Sequence, residues 1–253
     1  MTKLSVNLNK VALLRNQRDY GVPSVIEAAR VCIEAGAYGI TVHPRPDQRH
    51  ITPQDVDDLV QLLKECPTVE FNIEGNPFEG GWLEIVQRVR PTQATLVPDS
   101  PDQRTSDHGW DMAAEADRVA PIIKQLSDQG IRVSVFMDPD VEQIRRAADT
   151  AADRVELYTE AYATAFRKGD YGAVLQAYVE AAVVADQCGL SINAGHDLNL
   201  KNLAPLCRAV ADALPGGRGV LEVSIGHELT ADALFMGFDE AVRAYLRVLR
   251  GVR

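Results

Sequence analysis

The chain has 253 residues, 46% hydrophobic and 25% charged, and its 26 Lys and Arg against 36 Asp and Glu give a formal net charge of −10. That acidic balance argues against nucleic acid as the main partner, because a phosphate backbone needs a basic face. No apolar run reaches the ~18 residues of a transmembrane helix, and a strand pattern begins right after Met1-Thr2-Lys3, so neither membrane association nor a signal peptide is expected. The four cysteines lack C-x-x-C spacing and fit free thiols of a cytoplasmic protein.

In chain order, β-rich runs fall at Leu4–Asn7, Gly39–His43, Val69–Ile73, Ala94–Val97, Arg132–Met137, Arg154–Leu157, Leu190–Asn193 and Val220–Ile225. Helical periodicity fills Ser24–Ala35, Pro53–Cys66, Trp82–Val89, Met112–Gln129, Asp140–Ala151, Tyr171–Cys188, Asn202–Leu214 and Leu229–Leu249, the last broken near Gly237. Thr52 and Pro53 make a helix start, and Gly36, Gly130 and Gly189 each close a helix shortly before a strand run. Eight alternations in this length predict one (β/α)8 barrel over residues 1–253. The rival, a doubly wound sheet, lacks a Gly-x-Gly-x-x-Gly turn after any strand. The long polar stretch Pro98–Asp111 reads as either a functional lid or a disordered loop.

In such a barrel, reactive groups collect where strands end. All five histidines do so: His43 and His50 after the second strand, His108 after the fourth, His196 after the seventh and His227 after the eighth. Asn7, Asn9 and Lys10 follow the first strand, and Glu70, Asn72 and Glu74 share one face of the third. No His-x-His or His-Glu-x-x-His spacing supports a metal, and only Lys10 lies near a strand end for Schiff-base chemistry. Gly226 before the last helix fits a phosphate loop. Arg15, Arg18, Arg45, Arg49 and Arg104 offer a second anion site. These groups suit acid–base chemistry on phosphorylated small molecules. A phosphosugar isomerase or aldolase-like barrel, or a non-catalytic barrel binding a phosphometabolite, remain open on the residues alone.

The motifs Ser5-Val-Asn-Leu-Asn9, Leu14-Arg-Asn-Gln-Arg18, Gly39-Ile-Thr-Val-His-Pro-Arg45, Arg49-His-Ile-Thr52, Glu70-Phe-Asn-Ile-Glu-Gly75, Leu96-Val-Pro98, Asn193-Ala-Gly-His196 and Ile225-Gly-His227 resemble, in this order, the pyridoxine 5′-phosphate synthase family. The resemblance implies a (β/α)8 barrel with extra helices, assembled as a homo-octamer and using no metal or redox cofactor. It implies condensation of 1-deoxy-D-xylulose 5-phosphate with 3-amino-2-oxopropyl phosphate to pyridoxine 5′-phosphate, inorganic phosphate and water. It places His43 as general base, Glu70 as second proton acceptor and His196 as proton donor. It places Asn7, Asn9, Lys10, Arg18, Arg45, His50, Thr105, Asp197, Gly226 and His227 on the substrates. Two departures stand out: Asn9-Lys10 where many members carry Asp-His, and Asp197 where many carry Gly.

Overall fold

The computed structural model describes residues 1–252. Its elements run β1 (Lys3–Asn7), α1 (Asn9–Arg15), α2 (Val25–Ala35), β2 (Gly39–Val42), α3 (Pro53–Lys64), β3 (Glu70–Gly75), α4 (Trp82–Val89), β4 (Gln93–Leu96), α5 (Met112–Ser127), β5 (Arg132–Met137), α6 (Val141–Ala148), β6 (Arg154–Tyr158), α7 (Glu160–Lys168), α8 (Gly172–Gln187), β7 (Ser191–Gly195), α9 (Leu203–Ala213), β8 (Glu222–Ile225), α10 (His227–Met236) and α11 (Phe238–Arg250). The strands pair in parallel, in sequence order, and β8 closes on β1. This is the predicted (β/α)8 barrel, with additional helices α1, α7 and the α10–α11 pair. Gly237, in an extended positive-φ conformation, divides α10 from α11. The structure adds two helices that the periodicity did not mark, α1 and α7. Neither has a side-chain N-cap to announce it.

The predicted starts and stops operate as read. Thr52 and Asp55 form a reciprocal capping box on α3 with Pro53 in its first turn. Gly36 ends α2 in the left-handed conformation. Asp55 also holds Arg15 at the end of α1, with Arg15 Nη2 to Asp55 Oδ2 at 2.9 Å. Asn16 donates to the His50 carbonyl at 2.9 Å. These contacts pin the loop after β2 against α1.

Alternation along each strand sorts its side chains between two environments. Leu4, Val6, Ile40, Val42, Ile73, Leu96, Val133, Val135, Val155, Leu157, Val223 and Ile225 are buried and pack outward into the helical shell. The lumen face is polar. The strand register, with the tilt that closes an eight-stranded barrel, brings side chains of alternate strands to common levels. Asn7, Glu74, Phe136 and Gly195 share an upper level. Beneath lie Thr41, Thr95, Glu156 and Ser224, then Ser5, Asn72, Ser134 and Asn193, then Gly39, Gln93, Arg154 and Glu222. Hydrogen bonds stitch these levels together: Ser5 with Thr41 at 2.6 Å, Thr95 to Asn72 at 3.0 Å, Arg154 to Asn193 at 3.1 Å and to Glu222 at 3.2 Å.

Candidate active site at the C-terminal rim

β2 delivers His43 one residue past its last apolar position, and the side chain is buried there. Its backbone N–H donates to Asn9 Oδ1 at 2.8 Å, so Asn9 joins the first turn of α1 to the end of β2. The His50 ring meets His43 edge-on with centroids 6.1 Å apart. His50 Nδ1 accepts the N–H of Ile51 at 2.9 Å; in neutral His50 the ring proton therefore sits on Nε2. Burial, then the charges of Arg45, His50, His196 and Arg49, hold His43 well below the usual histidine range. Burial and the nearby Arg45 and Lys10 bring His50 down to about 4.

β7 ends at Gly195 and turns sharply, with His196 (φ 73°) and Asp197 (φ 56°) both in the left-handed region. Side chains rarely adopt that backbone, and residues strained in this way concentrate at working sites. Thr159 reaches the carbonyls of Gly195 and His196 with its hydroxyl and braces the turn. The His196 ring packs against both Phe136 and Tyr158, with centroids 5.0 and 5.4 Å away, and those two rings are 5.3 Å from each other. Burial, then Lys10 and Arg45, lower its pKa to about 4. Its Nδ1 is buried without a hydrogen-bond partner, a proton-transfer atom not tied up by the protein.

The rim carboxyl group comes from Glu74. It is buried, with Asn7 donating to Oε2 and Ser224 to Oε1, both at 3.2 Å. No cation pairs with it among the described residues. Burial above all, with Asp99 and Glu222 adding repulsion, pushes its pKa up to about 8. Glu156 lies one level lower and is fully buried, with Oε2 unpartnered and a pKa raised well above the carboxylate range by burial and Glu74. Gly195 makes room for it, because a Cβ there would collide with Glu156 Oε1.

Glu70 requires a correction. It opens β3 at the far end of the barrel, four residues before Glu74 on the same lumen face, and is bound by Arg132 and Tyr38. Burial would raise its pKa, but those two hydrogen bonds outweigh it and hold the carboxylate below its ordinary value. Glu70 is a paired carboxylate of the barrel floor; Glu74 is the carboxyl group of the third strand that stands on the upper level of the lumen, beside Asn7.

The other expected residues divide. Asn7 is engaged on both sides: it donates to Glu74 and accepts from the Asn9 N–H at 2.9 Å. Gly226 packs on Asn7, where a Cβ would come within 3.1 Å, and it caps α10, whose first residue is the exposed His227. Lys10 is half-buried at the rim, and Asp197 lies within its electrostatic reach. Arg45 is buried and already committed, to the Asp99 carboxylate and to the Gln103 carbonyl at 2.8 Å. Thr105 is exposed on the loop between β4 and α5. Arg18 is exposed after α1 and lines a surface cleft with Arg15, Gln48 and Asp55, a cleft into which no histidine side chain projects. The structure does not bring it into this site. Among the described residues no cluster of His, Cys, Asp or Glu has metal-ligand geometry.

Sequence reading placed Glu156 and Thr159 among the strand-end groups but missed Asp99 and the Phe136–Tyr158 pair as parts of the site. Of these only Tyr158 carried a signal, the alternation Arg154, Glu156, Tyr158 along one strand face.

A closed parallel barrel that gathers neutral histidines and a proton-holding carboxyl group at its C-terminal rim defines a (β/α)8-barrel enzyme built for acid–base chemistry. Solved structures of that fold align over nearly the whole chain. 3-Keto-L-gulonate-6-phosphate decarboxylase from Vibrio cholerae aligns with a TM-score of 0.62 at 10% identity, covering 98% of each chain. D-psicose 3-epimerase aligns at 0.60 and 13% identity, covering 100% of this chain and 99% of the other. The chain belongs to the family described as pyridoxal phosphate biosynthesis protein PdxJ, whose model matches residues 4–251. Two of its relatives are named pyridoxine 5′-phosphate synthase: one from Porphyromonas gingivalis, 51% identical over 97% of this chain and 98% of its own length, and one from Albidiferax ferrireducens, 50% identical over 98% and 97%.

Proposed function

We propose that this chain is a pyridoxine 5′-phosphate synthase, joining 1-deoxy-D-xylulose 5-phosphate and 3-amino-2-oxopropyl phosphate with loss of phosphate and water. The observation that carries the reading is Glu74, a buried carboxyl group with a pKa near 8, at the same rim as two neutral histidines. The reaction adds an amine to a ketone, expels water and phosphate and closes a ring. Each step moves a proton, and groups that exchange protons near neutrality supply that. His43, neutral and buried, is the general base. Glu74 takes the role that the family resemblance gave to Glu70. His196 rests neutral beside Lys10 and Arg45; a bound phosphate offsets those charges, raises its pKa and lets it act as proton donor. Asn7, Asn9, Lys10, His50, Thr105, Asp197, Gly226 and His227 are the contacts proposed for the substrates, with the N–H groups at the start of α10 facing a phosphate.

The same reading makes the protein a cytoplasmic homo-octamer. The exposed Leu234, Phe235 and Met236 at the end of α10 support association. The deciding experiment incubates the protein with both substrates and follows pyridoxine 5′-phosphate by fluorescence. Absence of product with intact phosphate binding would reject the synthase and leave a binding barrel.

A further inference from the structure

Four cations sit over the mouth, and two are spent. Arg45 is held by Asp99 and the Gln103 carbonyl. Arg49 binds Asp47 and reaches the carbonyls of Pro101, Gln103 and Arg104 at 2.9, 2.8 and 3.2 Å. Both arginines therefore serve to fasten the β4–α5 loop onto the loop after β2. Lys10 and Arg104 remain. Among the described residues neither side chain makes an ion pair or a hydrogen bond.

Their placement is fixed although their charged ends are free. Lys10 is in the first turn of α1, which Asn9 ties to the His43 amide. Arg104 projects from the loop segment whose own carbonyl Arg49 grips. The two side chains feel each other: after burial, Arg104 is the largest influence lowering the Lys10 pKa. Lys10 in turn lowers His50 and His196. Lys10 is half-buried and Arg104 exposed, and two like charges left unpaired near one another favour an anion that joins them. Asp197 is the one carboxylate that offsets Lys10. It makes no ion pair with Lys10 and is itself influenced by Arg167 and His227.

We propose that Arg104, reaching from the β4–α5 loop, and Lys10, from α1, together grip the phosphate group of a substrate across the mouth, making Arg104 a substrate-binding residue of this chain. The chemistries complement each other. A guanidinium forks onto two oxygens of a phosphate monoester, and an ammonium takes a third as a point charge. Because Arg104 rides on the clamped loop, the same contact holds that loop over the bound substrate. The inference rests on the reading of the substrates as phosphorylated.

Isothermal titration with inorganic phosphate at low ionic strength tests it without requiring turnover. Arg104→Ala and Lys10→Ala should each weaken phosphate by about tenfold, Arg104→Lys should restore part of the loss, and Lys124→Ala, on the remote face of α5, should change nothing. Unchanged phosphate affinity in Arg104→Ala, or no phosphate binding by the unmodified protein, overturns the proposal. Phosphate binding that depends on Arg104 in a protein that makes no pyridoxine 5′-phosphate upholds it and rejects the synthase reading instead.

Discussion

Asn7 donates its side-chain amide to Glu74 at 3.2 Å across the top of the barrel, and that amide is a neutral partner. Glu70, on the same strand, has Arg132 instead. The two carboxyl groups should respond oppositely to loss of charge. Glu74→Gln should lower turnover by about 10²-fold or more with the fold intact. Glu70→Gln should leave turnover within a few fold and cost about 1–2 kcal/mol of stability, because Arg132 loses a partly buried partner. Steady-state rates and denaturant melts on both variants decide the assignment; a silent Glu74→Gln would return the role to another group.

Glu74 also makes a statement about stability. Its folded pKa of about 8 lies above the ~4.3 of an unfolded glutamate. Between those values the folded protein holds a proton that the unfolded chain releases. This group's stabilising effect is complete below about pH 4.3 and is lost as pH rises through 8. Glu74→Gln abolishes the dependence, so its melting temperature should gain on the unmodified protein as pH goes from about 5 to about 8. A constant difference would show that Glu74 ionises normally.

His196→Asn keeps a polar side chain against Phe136 and Tyr158 but cannot carry a proton to a leaving group. Turnover should fall by about 10²- to 10⁴-fold, while calorimetry should show at least one phosphorylated substrate still binding. Near-normal rates would remove His196 from the proton-transfer set.

Gly195→Ala places a methyl group against Glu156 Oε1. The expected cost is about 1–3 kcal/mol, read as a lowered denaturation midpoint. Pairing it with Glu156→Ala should recover much of the loss, a coupling visible in a double-mutant cycle.

Asp99→Asn removes the charge partner of Arg45 and weakens the Ser106 contact, 2.7 Å from the same carboxylate. The β4–α5 loop should loosen while the barrel persists. Limited proteolysis should cut within residues 98–111 faster, and kcat/KM should drop. An unchanged cleavage rate would mean that Arg49 alone fastens the loop.

The barrel could be read from the chain because its signals are local. Glycines mark helix ends, the Thr52-Pro53 start is correct, and buried β-branched runs alternate with helical periodicity along the whole chain. The histidines identified the rim for the same reason, since each follows its strand within a few residues. What the sequence did not disclose is height along a strand. Glu70 and Glu74 share a face at period two, and only the register with β2 and β4 tells which of them reaches the top. Nor did it disclose partners distant in the chain. Arg45 reads as a free substrate grip until Asp99, 54 residues later, is found against it. α7 escaped notice because its sequence, Glu160-Ala-Tyr-Ala-Thr-Ala-Phe-Arg-Lys168, opens without a cap and follows directly on a strand.

The polar lumen changes where the molecule keeps its strength. Barrels of this class ordinarily fill their centre with branched aliphatic side chains; here the oily material forms a sleeve between sheet and helices, and the axis is a column of interlocked amides, hydroxyls and ion pairs. A sleeve tolerates exchange of one aliphatic for another of similar volume. A column of directional bonds does not, because each member aims the next. Chain variants that drift in the sleeve should stay active, whereas a single apolar replacement at Asn72, Gln93 or Asn193 should reach the catalytic rim as misalignment even though none of the three touches a substrate.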